Sequence, residues 1–375
     1  MSGRKACSGD ASGPILTFAS FLGGHFSECW NQRTTGKHKF TSALDLPKFV
    51  KAGAETEYEL RKVGTKSMLG FFKSRLFFIS LVVVIIAATL PLYVSGYVLG
   101  LLTVAYYFGV FAMAWDLLFG FAGEVNFGPT FLIGVGAYTA GILNNQYGWS
   151  VYLCILLGAL ASVIAGFVLA LPALRVRGPY FGLTTLVAVL MLQNFIVVFA
   201  DLTGGEIGLT IPDVISIDAG VNYWIALGFM TISAIILYGL SQSPIGLVLQ
   251  ASGQDPVQAG ALGFNIVKHK LAAFVVSAFF SGLSGALLVF YFGTASVGTV
   301  VDVAVGVNVI VAAVLGGRRT VLGAALGAIF LIVAGEFLRP TGELATFIVS
   351  AVALLVVLFF PGGFLGAALS REARS

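Results

Sequence analysis

Charge is the scarcest property of this sequence. Only 10% of its 375 residues are Asp, Glu, Lys or Arg, against about 25% in an ordinary soluble domain. That deficit excludes a water-soluble enzyme. Cysteine and histidine are equally sparse: Cys7, Cys29 and Cys154, and His25, His38 and His269, stand far apart and in no metal-ligand or CxxC spacing. No disulfide framework or metal centre is readable. The chain has no Gly-x-x-x-x-Gly-Lys-Ser/Thr stretch, so it cannot cradle and hydrolyse ATP by itself. Nor does it carry an HExxH, a nucleophile elbow or a His/Asp/Glu cluster, and no catalytic residue is expected. The formal charge of +4 does not point to nucleic acid, because in so apolar a chain the sign of each loop matters more than the total.

What is abundant is hydrophobic surface, 58% of residues, together with 47 Gly and 32 Phe. Residues 1–67 are polar, and their one apolar patch, 14–22, is too short to span a bilayer and lacks a signal-peptide layout. We therefore expect a polar cytoplasmic extension over 1–67 and a transmembrane domain over 68–375. From Leu76 onward the apolar runs define ten spans: 76–93, 98–119, 128–144, 150–173, 180–200, 223–240, 271–292, 303–316, 321–337 and 344–360. The expected fold is an all-α integral membrane protein, a polytopic helix bundle of about ten transmembrane spans. Its third, eighth and ninth spans are short enough to be tilted, broken or re-entrant.

With the N-terminus in the cytoplasm, 20 of the 21 Lys and Arg residues fall inside and only Arg339 outside. One missed or invented helix would flip every later loop, so this bias supports both the span count and cytoplasmic N- and C-termini. Asp201, Glu206, Asp213, Asp218 and Glu343 lie in outer loops. Small residues recur four apart at Gly158, Ser162 and Gly166, at Ser277, Ser281 and Gly285, and at Gly323 and Gly327. Such rows let helix backbones approach closely.

The longest inner loop, 242–270, contains Gln254-Asp255-Pro256-Val257-Gln258-Ala259-Gly260-Ala261-Leu262-Gly263. Asp255 suits an N-cap, Pro256 the first helical turn and Gln258 the capping-box position, and Gly263 can stop the helix. A short helix outside the membrane follows. Its small side chains Ala259, Gly260 and Ala261 suit a knob seated in a partner's groove, and equally a plain surface helix. Asp116, Gln193, Asn194 and Asn308 lie within spans, where polar groups face protein or water. They are candidates for a translocation path, the competing reading being hydrogen bonds between helices, at about 0.6 kcal/mol each. Arg175 and Arg177, with Arg318 and Arg319, are expected as anchors at the inner face.

Four stretches, in this order and at these separations, resemble the M-type permease of the branched-chain amino-acid ABC transporter family. They are Gly123-Glu124-Val125-Asn126-Phe127-Gly128 leading to Gly134-Val135-Gly136-Ala137-Tyr138; Leu174-Arg175-Val176-Arg177-Gly178-Pro179-Tyr180-Phe181; Ala261-Leu262-Gly263-Phe264-Asn265 with Lys270-Leu271-Ala272-Ala273-Phe274; and Val314-Leu315-Gly316-Gly317 followed by Gly323 and Gly327. The likeness covers nearly everything from Met68 onward. It implies a multi-pass permease of the cell membrane that imports branched-chain amino acids, with urea or short amides as other small solutes of related permeases. It further implies that 254–263 is a coupling helix docking on an ATPase subunit. The implied partners are an H-type permease subunit, two ATP-binding subunits and an extracytoplasmic solute-binding protein; ATP would be bound by the partner and no cofactor by this chain. The segment from Thr203 to Leu209 resembles a recurrent outer segment of the family that could receive the binding protein. The sequence departs from the family at Gly260, where an acidic residue is usual. The alternative is a secondary carrier for a small polar solute, which would need coupling-ion sites at mid-membrane; the intramembrane acids are too few to encourage it.

Overall fold

The computed structural model describes residues 75–174, 179–342 and 351. The N-terminal 1–67, the tenth expected span at 344–360 apart from residue 351, and Arg175 and Arg177 lie outside the described residues. Nine of the ten expected spans coincide with helices. They are α1 (Arg75–Thr89), α2 (Gly96–Asp116), α3 (Pro129–Tyr147), α4 (Val151–Ala173), α5 (Pro179–Val198), α7 (Ala219–Gln242), α10 (Ile266–Phe292), α12 (Val303–Gly316) and α13 (Val321–Leu338). Between them lie four shorter helices: α6 (Ala200–Thr203), α8 (Pro244–Gln254), α9 (Pro256–Ala261) and α11 (Val297–Val300). Two-residue strands, β1 (Leu209–Thr210) and β2 (Thr294–Ala295), pair antiparallel. Seven segments are long and apolar enough to cross a membrane, so this is an all-α polytopic membrane protein.

The distribution of side chains is the reverse of a soluble helix. Along α4, Leu153, Leu156, Leu160, Ile164 and Phe167 are exposed, while Cys154, Gly158, Ser162 and Gly166 are buried. In lipid, large aliphatic groups gain nothing by hiding, and close packing through small residues is what holds helices together. All three rows of small residues found in the sequence sit at such contacts. A Cβ on Gly158 would lie 2.6 Å from the carbonyl oxygen of Gly136, and one on Gly282 would lie 2.2 Å from Ser162 Oγ. Hydroxyls tie the same crossings: Ser162 Oγ donates to Leu132 O at 2.8 Å and Ser277 Oγ to Ala114 O at 2.8 Å. The α12–α13 hairpin is tighter still, with a Cβ on Gly316 falling 1.9 Å from Gly323 O.

Two breaks interrupt the bundle. Past α2 the helix widens into a π-helical turn, Leu117–Phe121, and residues 123–128 run without helical structure before α3 begins. This stretch is bonded to the helices around it: Trp115 Nε1 donates to Asn126 O at 2.7 Å, and the Phe127 amide donates to Thr185 Oγ1 on α5 at 3.1 Å. Non-helical backbone at membrane depth is tolerated only where protein or a water-lined cavity satisfies its polar groups. The second break covers residues 293–302, from the end of α10 through β2 and α11 to α12. There Gln193 Nε2 donates to Val301 O at 3.3 Å. The third and eighth expected spans, α3 and α12, are themselves continuous over 19 and 14 residues; the breaks lie just before each of them. The ninth, α13, is short but continuous over 18 residues.

Candidate functional site

The described basic residues gather at one end of the bundle. Lys268, Lys270, Arg318 and Arg319 lie at one end, where α2 and α12 finish and α10 and α13 begin. Asp201, Asp213 and Asp218 lie at the opposite end with a single described arginine, Arg339. At the acidic end Asn144 Nδ2 donates to Asp213 at 2.8 Å, and Asn145 Nδ2 to Thr210 O at 2.7 Å, which fastens the β1 loop to α3. Ile207 in that loop is 97% exposed.

The basic end holds the element singled out in the sequence. Asp255 caps α9, its Oδ1 accepting from the amides of Val257 at 2.9 Å and Gln258 at 3.1 Å, with Pro256 in the first turn. The helix ends at Ala261, and Gly263 takes a left-handed φ of +91° that a side chain would resist. Ala259 is buried beneath, whereas Val257 and Leu262 are 78% and 71% exposed. Two apolar side chains are thus left exposed on a capped turn.

The loop reading at 242–270 needs correction, because the stretch before Asp255 is not irregular. Residues 244–254 form α8, so Gln254 ends that helix and is not part of α9. The signal was present: Ser243 precedes Pro244, and its hydroxyl accepts from the Gly246 amide at 3.4 Å. α8 joins α9 to the membrane helices, packing on α7, α10 and the π-helical turn. Its Gly253 meets Gly123 backbone to backbone; a Cβ on Gly123 would lie 2.9 Å from Gly253 Cα.

Charged groups complete the junction. Lys270 Nζ pairs with Glu124, with only 11% and 18% of the two side chains exposed. Glu124 and Lys270 are brought together from two separate sequence motifs, a pairing no local pattern shows. Asp116, 1% exposed, accepts from the Arg319 amide at 3.1 Å through Oδ1, and Arg319 Nε donates to Gly120 O at 2.9 Å. Arg318 stacks over Phe119 at 4.7 Å. The 317–320 turn is therefore bolted to the end of α2. The four in-span polar residues are not gathered at one point. Asp116 belongs to this junction and Gln193 to the 293–302 break. Asn194 is exposed and bonds back to Leu190 O of its own helix, and Asn308 is exposed on α12.

Because the Glu124–Lys270 pair is mostly withdrawn from solvent, Lys270→Met strands a carboxylate and is expected to cost on the order of 3 kcal/mol. Glu124→Gln combined with Lys270→Met recovers most of that loss. Thermal melting of the purified single and double variants checks the coupling, and strict additivity would show the pair to be inert.

Residues 97–361 match the family model described as branched-chain amino acid transport system / permease component. The chain belongs to that family. It is 28% identical, over 327 residues, to the high-affinity branched-chain amino acid transport system permease protein LivM of Salmonella typhimurium, covering 78% of this chain and 75% of that protein. The LivH permease protein of the corresponding Escherichia coli system is 22% identical over 284 residues, 69% of this chain and 91% of the relative. BraD of Pseudomonas aeruginosa, another permease of this kind, is 26% identical over 71% of this chain and 93% of its own length. No solved structure matches. The matched region contains both breaks, α8, α9 and the basic junction, which are thus parts of a transport permease.

Proposed function

We propose that this permease is the membrane-spanning subunit of an ATP-driven importer for branched-chain amino acids, with ATP bound and hydrolysed by a partner subunit. The observation that carries this reading is α9, a capped helix exposed at the basic end and coupled through α8 and Gly253 to the π-helical turn of α2. Force applied to α9 reaches Gly123, the Glu124–Lys270 pair and the Asp116–Arg319 junction without crossing a flexible linker. The basic end faces the cytoplasm by the positive-inside rule, and the acidic end receives an extracytoplasmic binding protein. A related H-type permease subunit and two ATP-binding subunits complete the assembly. Residues 1–67 are a dispensable extension on this reading, so a chain starting at Met68 should insert and transport normally; loss of uptake at normal membrane levels would show otherwise.

Reconstituting the assembly in vesicles with labelled leucine, isoleucine, valine and urea tests the proposal. Uptake of the branched-chain amino acids should require ATP and the binding protein and survive collapse of ion gradients. Uptake driven by a gradient without ATP would establish a secondary carrier instead.

A further inference from the structure

Two buried hydroxyls on α3, Thr130 Oγ1 and Tyr138 OH, have no hydrogen-bond partner among the described residues. They are 0% and 4% exposed. Spaced eight residues apart, they lie within about 80° of each other around the helix. Gly134 between them faces the second break, where a Cβ would meet Val301 Cγ2 at 2.6 Å and Leu192 Cδ2 at 3.0 Å. Thr130 lies in the first turn of α3 and faces the first turns of α12: a Cβ on Gly306 would sit 3.4 Å from Thr130 Oγ1 and 3.5 Å from Pro129. The first turns of α3 and α12 therefore meet at an unpaired hydroxyl. Their leading amides are already engaged, Phe131 donating to Gly128 O and Gly306 to Asp302 O, so the open group here is Thr130 Oγ1. One turn back along α12, Asp302 supplies a carboxylate whose Oδ1 caps the Ala304 amide at 2.9 Å.

We propose that the seam between α3 and residues 296–306 is the solute-binding stretch of the translocation path, and that it takes a zwitterionic amino acid with an aliphatic side chain. This rests on the permease reading above. The solute carboxylate is held by Thr130 Oγ1, its ammonium group by Asp302, and its alkyl group by Val301 and Leu192. Tyr138 OH offers the next hydrogen bond toward the acidic end. The seam is shut in this structure by Val301, which the Gln193 amide holds through its carbonyl. Hydroxyls left unpaired in the closed state are the groups that a passing solute would satisfy. Packing alone is served as well by valine or phenylalanine, because an unpaired buried hydroxyl costs free energy.

That last point makes the test selective. In the reconstituted complex, Thr130→Val should lower leucine uptake at saturating binding protein at least tenfold, with an unchanged or higher melting temperature. Thr130→Ser should restore uptake and Tyr138→Phe should lower it less. Asp302→Asn keeps the cap, since asparagine serves equally there, and should lower uptake by removing the charge. Gly306→Ala adds a methyl at ordinary contact distance and should narrow the seam without unfolding the protein. Wild-type uptake by Thr130→Val and Gly306→Ala at equal insertion would overturn the seam, and wild-type uptake by Asp302→Asn would overturn the zwitterion. A parent complex that moves no branched-chain amino acid would instead overturn the permease reading.

Discussion

Gly260→Arg is expected to lower coupled transport sharply while leaving the permease folded and inserted. Gly260 lies on the exposed side of α9, and a Cβ there meets only Ile266 Cδ1, at 3.6 Å, among the described residues. Arginine is also the better helix former, by somewhat less than the roughly 0.8–1.0 kcal/mol that separates alanine from glycine, so α9 itself gains. What is lost is the close approach of a partner to the surface between Val257 and Leu262, now blocked by a long charged side chain. Uptake and substrate-stimulated ATP hydrolysis should fall together by at least about tenfold, equivalent to about 1.4 kcal/mol. Membrane levels and docking of the outer binding protein should be preserved. The measurement is copurification of the ATPase alongside transport in the reconstituted complex. Full copurification with coupled transport would remove α9 as the transmission contact and turn attention to Arg318.

Gly316→Val is expected to fail at the opposite step, before any transport. The first added carbon would lie 1.9 Å from Gly323 O, 2.2 Å from Gly323 C and 2.7 Å from the Ala324 amide nitrogen. All three atoms are backbone, so no rotamer change relieves the overlap and α12 must separate from α13. Overpacking a core costs about 1–3 kcal/mol where side chains can yield; here the loss should exceed that range. The hairpin also carries the 317–320 turn, so its displacement pulls the Arg319 amide from Asp116 and Arg319 Nε from Gly120 O. A sharp drop in monodisperse protein after solubilisation checks this. Gly228→Ala, on α7 with no described atom within 4 Å of the new Cβ, is the matched control. Equal yields for both would show that the α12–α13 contact is dispensable.

The two substitutions differ in how visible their sites were beforehand. The α9 helix could be read because capping is local: Asp255 and Pro256 act within one turn, and Gly263 tolerates the left-handed φ that follows. The same chemistry at Ser243 and Pro244 was there to be read for α8. It was masked by Gly246, Gly253 and a low density of large apolar residues. Gly323 and Gly327 could be read as a packing row, but that the row meets Gly316 and Ala312 could not.

Length and hydropathy alone determined that this chain crosses the membrane many times. A bilayer imposes a minimum apolar run on every span, and charge is expensive enough within it to sort the loops. Small-residue spacing showed which helix faces pack, because in lipid only close approach distinguishes one face from another. Only the tertiary structure decided which distant groups meet: Glu124 with Lys270, Asp116 with Arg319, Gln193 with Val301, and Thr130 with Gly306. These contacts join residues more than a hundred positions apart in sequence, and their partners are chosen by how helices cross and where two of them break. Periodicity along one segment carries no record of that choice.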